Sequence, residues 1–180
     1  MEEFLSSEQI LARAAEEIKK MCAVDQDMRK QNLESGDEYW DEDVDVENTK
    51  RMKEIVKQIG WPTLSLVGEE VSSDAWLLVQ HADHDVAFQM RCLELMKAAD
   101  EGDVEKHDIA YLEDRIRVNQ GRGQIYGTQF RQENQQHIPQ PIEDEMNVDV
   151  RRAEMGMGPL SEQIELMYKK YPFGEDKSKI

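Results

Sequence analysis

The sequence predicts a mainly α fold: a single helical domain of about five to six helices with one short β-hairpin near residues 124–142. Three observations carry that expectation. Apolar residues recur at helical spacing through most of the chain. β-forming residues gather around a single polar turn at 132–136. Glycines and prolines fall where the periodic segments stop.

Ser6 or Ser7 can cap a first helix over about 7–33, with Ile10, Leu11, Ala14, Ile18, Met21 and Met28 on one face. Residues 34–47 hold eight acids and no base, with Gly36, Tyr39 and Trp40 between them. Like charges repel, so this stretch is expected to be a solvated acidic loop. A second helix over 48–59 turns Met52, Ile55, Val56 and Ile59 inward; Gly60 stops it and Pro62 prevents its continuation. GWPTLSLVGEE then forms a compact connection with room for one helical turn. Ser72, Ser73 and Asp74 are suited to open the longest helix, about 74–99. GDVEKHD leads to a helix over 106–119 that Gly121 and Gly123 end. QIYGTQFR and HIPQPIE form the hairpin. Two last helical pieces, VDVRRAEMG and LSEQIELMYKKY, are parted by Gly156, Gly158 and Pro159, and 172–180 reads as a flexible tail. The expected organisation is an N-terminal helix (1–33) packed on the core, the acidic loop (34–47), the helical domain with its hairpin (48–171) and the tail, one domain in all.

Charge narrows the function. Of 180 residues, 39 are acidic and 22 basic, a formal charge of -17. Such a field repels polyanions, which argues against nucleic acid and anionic membrane as partners. Mean hydropathy is -0.76. No apolar run reaches the roughly 18 residues of a membrane span, and the start, MEEFLSSEQ, lacks the basic and apolar regions of a signal peptide. Cys22 and Cys92 stand far apart, with neither disulfide-framework nor metal spacing. They read as buried hydrophobes of a reducing, cytoplasmic environment.

The informative residues are ionisable groups that helical phase places inside apolar arcs, where an unpaired charge is costly. Asp25 and Arg29, at i and i+4, sit inside the stripe of Ile18, Met21, Cys22 and Met28. On the longest helix His81, Asp85 and Gln89, at i, i+4 and i+8, form one polar line, while Asp83 and His84 face solvent. On the helix over 106–119, Arg115 and Asn119 share an arc with Leu112, Ile116 and Val118. An ion pair within one helix accounts for Asp25 with Arg29 alone, and Arg115 can snorkel to water. Three such coincidences are better explained by a cleft that the three helices share.

In that cleft Asp85 would orient His81 and raise its basicity, making His81 the general acid–base. No GxSxG and no reactive-cysteine context supplies a nucleophile, so activated water or direct proton abstraction is expected. Arg29 and Arg115 would hold a small anionic molecule or peptide carboxylate by forked hydrogen bonds. Asp25, Gln89 and Asn119 would complete the binding set. No cofactor motif is present, and GRGQIYGTQ lacks the strand–GxGxxG–helix order of a nucleotide site. A divalent metal is a competing occupant, with Asp25, His81 and Asp85 as its ligands. A third reading is a non-catalytic immunity-like or regulatory module. Its acidic 34–47 loop, with Tyr39 and Trp40, would then meet a basic protein.

GWPTLSLVG, AWLLVQHADHDVAFQ, IAYLEDRIRVNQG, QIYGTQ and PQPIEDEMNVDVRRAEMGMGPL, in this order over about 46–168, resemble the motifs of a bacterial domain family of unknown function. The resemblance implies positions rather than an activity. It points to Trp61, Pro62, His81, Asp83, Asp85, Gln89, Asp114, Arg115, Tyr126, Gln129, Glu143, Asp144, Arg151 and Arg152. Helical phase selects four of these, His81, Asp85, Gln89 and Arg115, and turns Asp83 and Asp114 outward. Tyr126 and Gln129 would reach the cleft if the hairpin folds over it. Arg151 and Arg152, close to Glu143, Asp144 and Asp149, are expected to form a surface ion network.

Overall fold

A computed structural model describes residues 5–35 and 41–173. Tyr39, Trp40 and most of the expected tail therefore lie outside the described residues. The chain is mainly α. Among the described residues there are eight α-helices and one two-stranded antiparallel sheet. None of the helices is long and apolar enough to cross a membrane. Contacts divide the chain into two compact units, Met1–Glu105 and Lys106–Ile180.

The first unit holds five helices. They are α1 (Ser7–Ser35), α2 (Glu42–Ile59), α3 (Leu64–Val67), α4 (Glu69–Gln80) and α5 (Val86–Lys97). Helix α1 packs on α2 and α4, and α2 on α4. Ala14, Ile18 and Cys22 of α1, Met52, Ile55 and Val56 of α2, and Ala75, Leu78 and Val79 of α4 are buried. Two expectations are corrected here. The acidic stretch is not a loop over its whole length: Asp41 accepts from the Asp43 amide at 3.0 Å and caps α2, which runs on from Glu42. Acids in the first turn suit the positive end of the helix dipole, which is why the repulsion does not prevent the helix.

The longest predicted helix is two helices. Helix α4 begins five residues before the predicted start, after Gly68, whose φ of 83° serves an end that a side chain would strain. It stops at Gln80. Residues 81–85 make a turn, and Asp85 caps α5 by accepting from the Phe88 amide at 3.0 Å. Gln89, 0% exposed, spans the break. Its Nε2 donates to the carbonyl of Val79 (3.1 Å), which also accepts from the Ala82 amide (3.1 Å), and to that of Gln80 (3.3 Å), both at the helix end. Met90 of α5 is 46% exposed.

The second unit consists of α6 (Lys106–Asn119), β1 (Phe130–Glu133), β2 (Gln136–Pro139), a 3-10 turn (Glu145–Asn147), α7 (Val148–Glu154) and α8 (Leu160–Lys170). The hairpin falls within its predicted stretch. Phe130 pairs with Pro139 and Glu133 with Gln136, joined by Asn134 and Gln135 at φ 51° and 57°. Positive φ at both positions is the type I′ geometry that matches strand twist. Buried His137 of β2 donates from Nε2 to the Tyr171 carbonyl at 2.7 Å and stacks on Phe173 with centroids 4.5 Å apart, fastening the chain end to the sheet.

Candidate functional site

The first unit gathers four ionisable groups from three elements. Helix α1 carries Asp25 on its buried face, 0% exposed, and Arg29 one turn later. Helix α2 contributes Asp45 from its N-terminal turns. His81 sits just past the end of α4, at φ -85° and ψ 0°. Its Nδ1 lies 3.0 Å from both Asp25 oxygens. Arg29 donates from Nε to Asp25 Oδ1 at 3.1 Å and from Nη2 to Asp45 Oδ1 at 2.6 Å. Gln26 donates to Asp25 Oδ2 at 2.7 Å.

These contacts set the charge states. Burial pushes the Asp25 carboxyl up, but hydrogen bonds and charges from His81 and Arg29 outweigh it and bring the group down to about 2 from 3.8. Asp45 shares Arg29 and moves the opposite way, because burial and the neighbouring Asp25 charge exceed what one guanidinium returns. Being ionised, Asp25 can only accept, so the proton of a neutral His81 sits on Nδ1 and the lone pair on Nε2. Nε2 has no hydrogen-bond partner among the described residues, and the His81 side chain is 16% exposed. A buried carboxylate behind an imidazole whose far nitrogen is free is the arrangement of a general base.

The partner of His81 therefore differs from the expected one. The break at 81–85 removes the shared helical face on which His81 and Asp85 were to meet. Asp85 instead caps α5 and forms an ion pair with Lys53 of α2. Asp45, read as part of an acidic loop, is the group that sequence reasoning missed. Its signal was present: an Asp at 41 followed by Val44 and Asn48 continues the phase of α2 backwards by two turns.

Asp25, Asp45 and His81 each offer one ligand atom within 4.8 Å of the others, a nitrogen and two oxygens that suit a divalent ion. Asp85 is not in this group. The donor types fit, but both carboxylates already hold Arg29, so a metal ion would have to displace the guanidinium.

The other expected site residues are in the second unit. Arg115 donates to Gln129 Oε1 at 3.4 Å, and Gln129 donates to Thr128 Oγ1 at 3.1 Å. Tyr126 is half-buried, which raises its phenol. Asn119 is exposed, against the inward phase assigned to it. Asp114, which phase turned outward, is 0% exposed. It accepts from the amides of Ile125 (2.6 Å), Tyr126 (3.1 Å) and Thr128 (3.0 Å) and from the Thr128 hydroxyl (3.0 Å). Helix α6 buries Leu112, Asp114 and Ile116 alike, so one apolar arc does not describe it. Gly127 completes that loop at φ 71°, where a Cβ would lie 2.8 Å from Leu160. The expected surface network holds for Arg151, which meets Asp144 at 3.3 Å. It fails for Arg152, which is 2% exposed and donates to the carbonyls of Gly158 (2.6 Å) and Tyr126 (2.8 Å).

The sequence model of a family of unknown function, DUF6624, matches residues 13–175. The chain belongs to the DUF6624 family. The match begins well before the motif blocks and takes in most of α1, so Asp25 and Arg29 lie inside the DUF6624 region together with His81. No curated protein and no solved structure matches the chain.

Proposed function

We propose that the protein is a small cytoplasmic enzyme of hydrolase or lyase type in which His81 is the general acid–base and Asp25 its orienting carboxylate. The observation that carries this reading is the free Nε2 of His81 opposite an Nδ1 held 3.0 Å from a buried, ionised Asp25. The base would take a proton from water or from the substrate at Nε2, and Asp25 would stabilise the resulting imidazolium. The cytoplasmic assignment is supported by two free, buried cysteines, whose thiols burial pushes up to about 12. Arg29 gives little support to an anionic substrate, because its guanidinium is engaged by two carboxylates. A small polar substrate is the class that remains.

The test is turnover of p-nitrophenyl acetate and p-nitrophenyl phosphate by the intact chain and its variants. His81→Ala is expected to lower the rate on whichever probe is turned over by about 100-fold or more, and Asp25→Asn by at least tenfold. Asp85→Asn, which keeps a capping oxygen, is expected to leave the rate within about twofold. A His81→Ala protein that folds and retains its rate overturns the reading.

A second reading is favoured by the 4.8 Å grouping of Asp25, Asp45 and His81: the same site holds a divalent cation. Calorimetric titration with zinc or manganese then gives one-to-one binding that Asp45→Asn weakens by at least tenfold. Binding that is unchanged in Asp45→Asn removes it.

A further inference from the structure

Helix α2 carries two buried polar side chains, Asn48 at 8% exposure and Thr49 at 3%. Asn48 Nδ2 and Thr49 Oγ1 are shut off from solvent, yet neither has a hydrogen-bond partner among the described residues. A threonine inside a helix commonly bonds back to the carbonyl one turn earlier, and Thr49 makes no such bond to Asp45. Burying an amide or a hydroxyl unpaired weakens a fold, and here two adjacent residues do so.

Neighbours along the helix fix where they lie. Asp45, Thr49 and Lys53, at i, i+4 and i+8, form one line on α2. A carboxylate oxygen of Asp45 lies within 4.8 Å of a ring nitrogen of His81, and Lys53 forms an ion pair with Asp85. Thr49, between them, therefore faces the 81–85 turn. Asn48 shares its own line with Met52, which is buried, and stands one turn beyond Asp45. The side chains of His81 and Asp45 keep 16% and 13% exposure, so solvent reaches this end of the site past them. The carboxylates of Asp25 and Asp45 outnumber the one guanidinium of Arg29, while Lys53 and Asp85 cancel, so the surroundings are negative.

We propose that Asn48 and Thr49 hold the carbonyl oxygen of the substrate, which is an uncharged acyl compound, a carboxamide or an ester. This deepens the acid–base reading of His81 and rests on it. Both side chains are donors, so the missing partner is an acceptor oxygen, and the negative surroundings select a neutral one over a carboxylate. Water loses a proton to His81 Nε2 as its oxygen bonds to the acyl carbon. The carbonyl electron pair moves onto the oxygen held by the two donors, which are fixed where that charge develops. Its return breaks the bond to the amine or alkoxide, which takes the proton from Nε2 and leaves. Water and the acyl compound thus become an acid and an amine or alcohol, and His81 ends as it began.

Acetamide, acetate and acetamidinium share a shape and differ in charge and in acceptor oxygens. Titration of the full chain up to about 0.5 M, followed by the amide resonances of residues 48, 49 and 81, is expected to saturate with acetamide at least tenfold more tightly than with either ion. Thr49→Val, the same shape without a donor, should weaken acetamide about tenfold, and Thr49→Ser should restore it to within about threefold of the parent. Without ligand, Thr49→Val should raise Tm by about 2 °C, because no bond is lost and a buried hydroxyl is removed. These readouts need no turnover. His81→Ala should bind acetamide as the parent does, so a failure of the acid–base reading in the p-nitrophenyl assays is distinct from a failure here. Acetamide that does not saturate, an ion that binds as tightly, a Thr49→Val variant that binds acetamide unchanged, or one whose Tm falls overturns the proposal.

Discussion

Asp25 is the residue on which the His81 site turns, because it is buried, ionised and held by three hydrogen-bonding partners, His81, Arg29 and Gln26. Its pKa in the folded chain, about 2, lies below the 3.8 of a free side chain. A depressed carboxyl stabilises the fold fully above the unfolded value, and that contribution is lost as pH falls through the folded one. The shift is equivalent to about 2 kcal/mol. Asp45 works in the other direction, its raised carboxyl favouring the fold at lower pH. Denaturant unfolding of the parent and of Asp25→Asn between pH 5 and 2 separates the two. The stability difference between parent and variant is expected to shrink by about 2 kcal/mol over that window, and a difference that stays constant would place the charge of Asp25 outside the stability balance.

Elements were legible where local chemistry decides them and hidden where tertiary contacts do. Helix α6 kept its predicted bounds, and the hairpin kept its turn, because Gly121 and the Asn134–Gln135 pair mark both from within a few residues. The break between α4 and α5 was not seen, since 81–85 contains no glycine or proline and the apolar phase runs on through it. The available cue was Asp85 directly before an apolar run, a capping signature. Asp114 was misjudged because its partners, the amides of 125–128, belong to another segment. The hairpin makes its own prediction. Gln135 holds φ 57°, a conformation that costs a side-chain-bearing residue and costs glycine little. Gln135→Gly should stabilise the protein by about 0.5–1 kcal/mol in thermal or denaturant unfolding; a loss of stability would show that the Gln135 side chain contributes more than its backbone strain costs.

At the scale of the molecule, charge is the dominant property. A formal charge of -17 repels itself, and the ion pairs that relieve it, such as Lys19 with Glu70 at 2.5 Å, are largely exposed. Exposed pairs contribute little and salt screens them, while the net repulsion is also screened. With acids so far in excess, relief of repulsion should win: raising NaCl from 10 to 300 mM is expected to lift Tm by about 2–4 °C, and a fall would mean that the ion pairs outweigh the excess charge. The site has its own dependence on the whole. His81 and Asp25 are 56 residues apart, so the imidazole is aligned by docked helices and by nothing in its own segment. On the function proposed above, a loosened chain that kept every helix but let α1 slip from α4 would therefore be chemically silent. Turnover by such an enzyme would fade before circular dichroism registered any change, and would report native assembly more sensitively than helicity does.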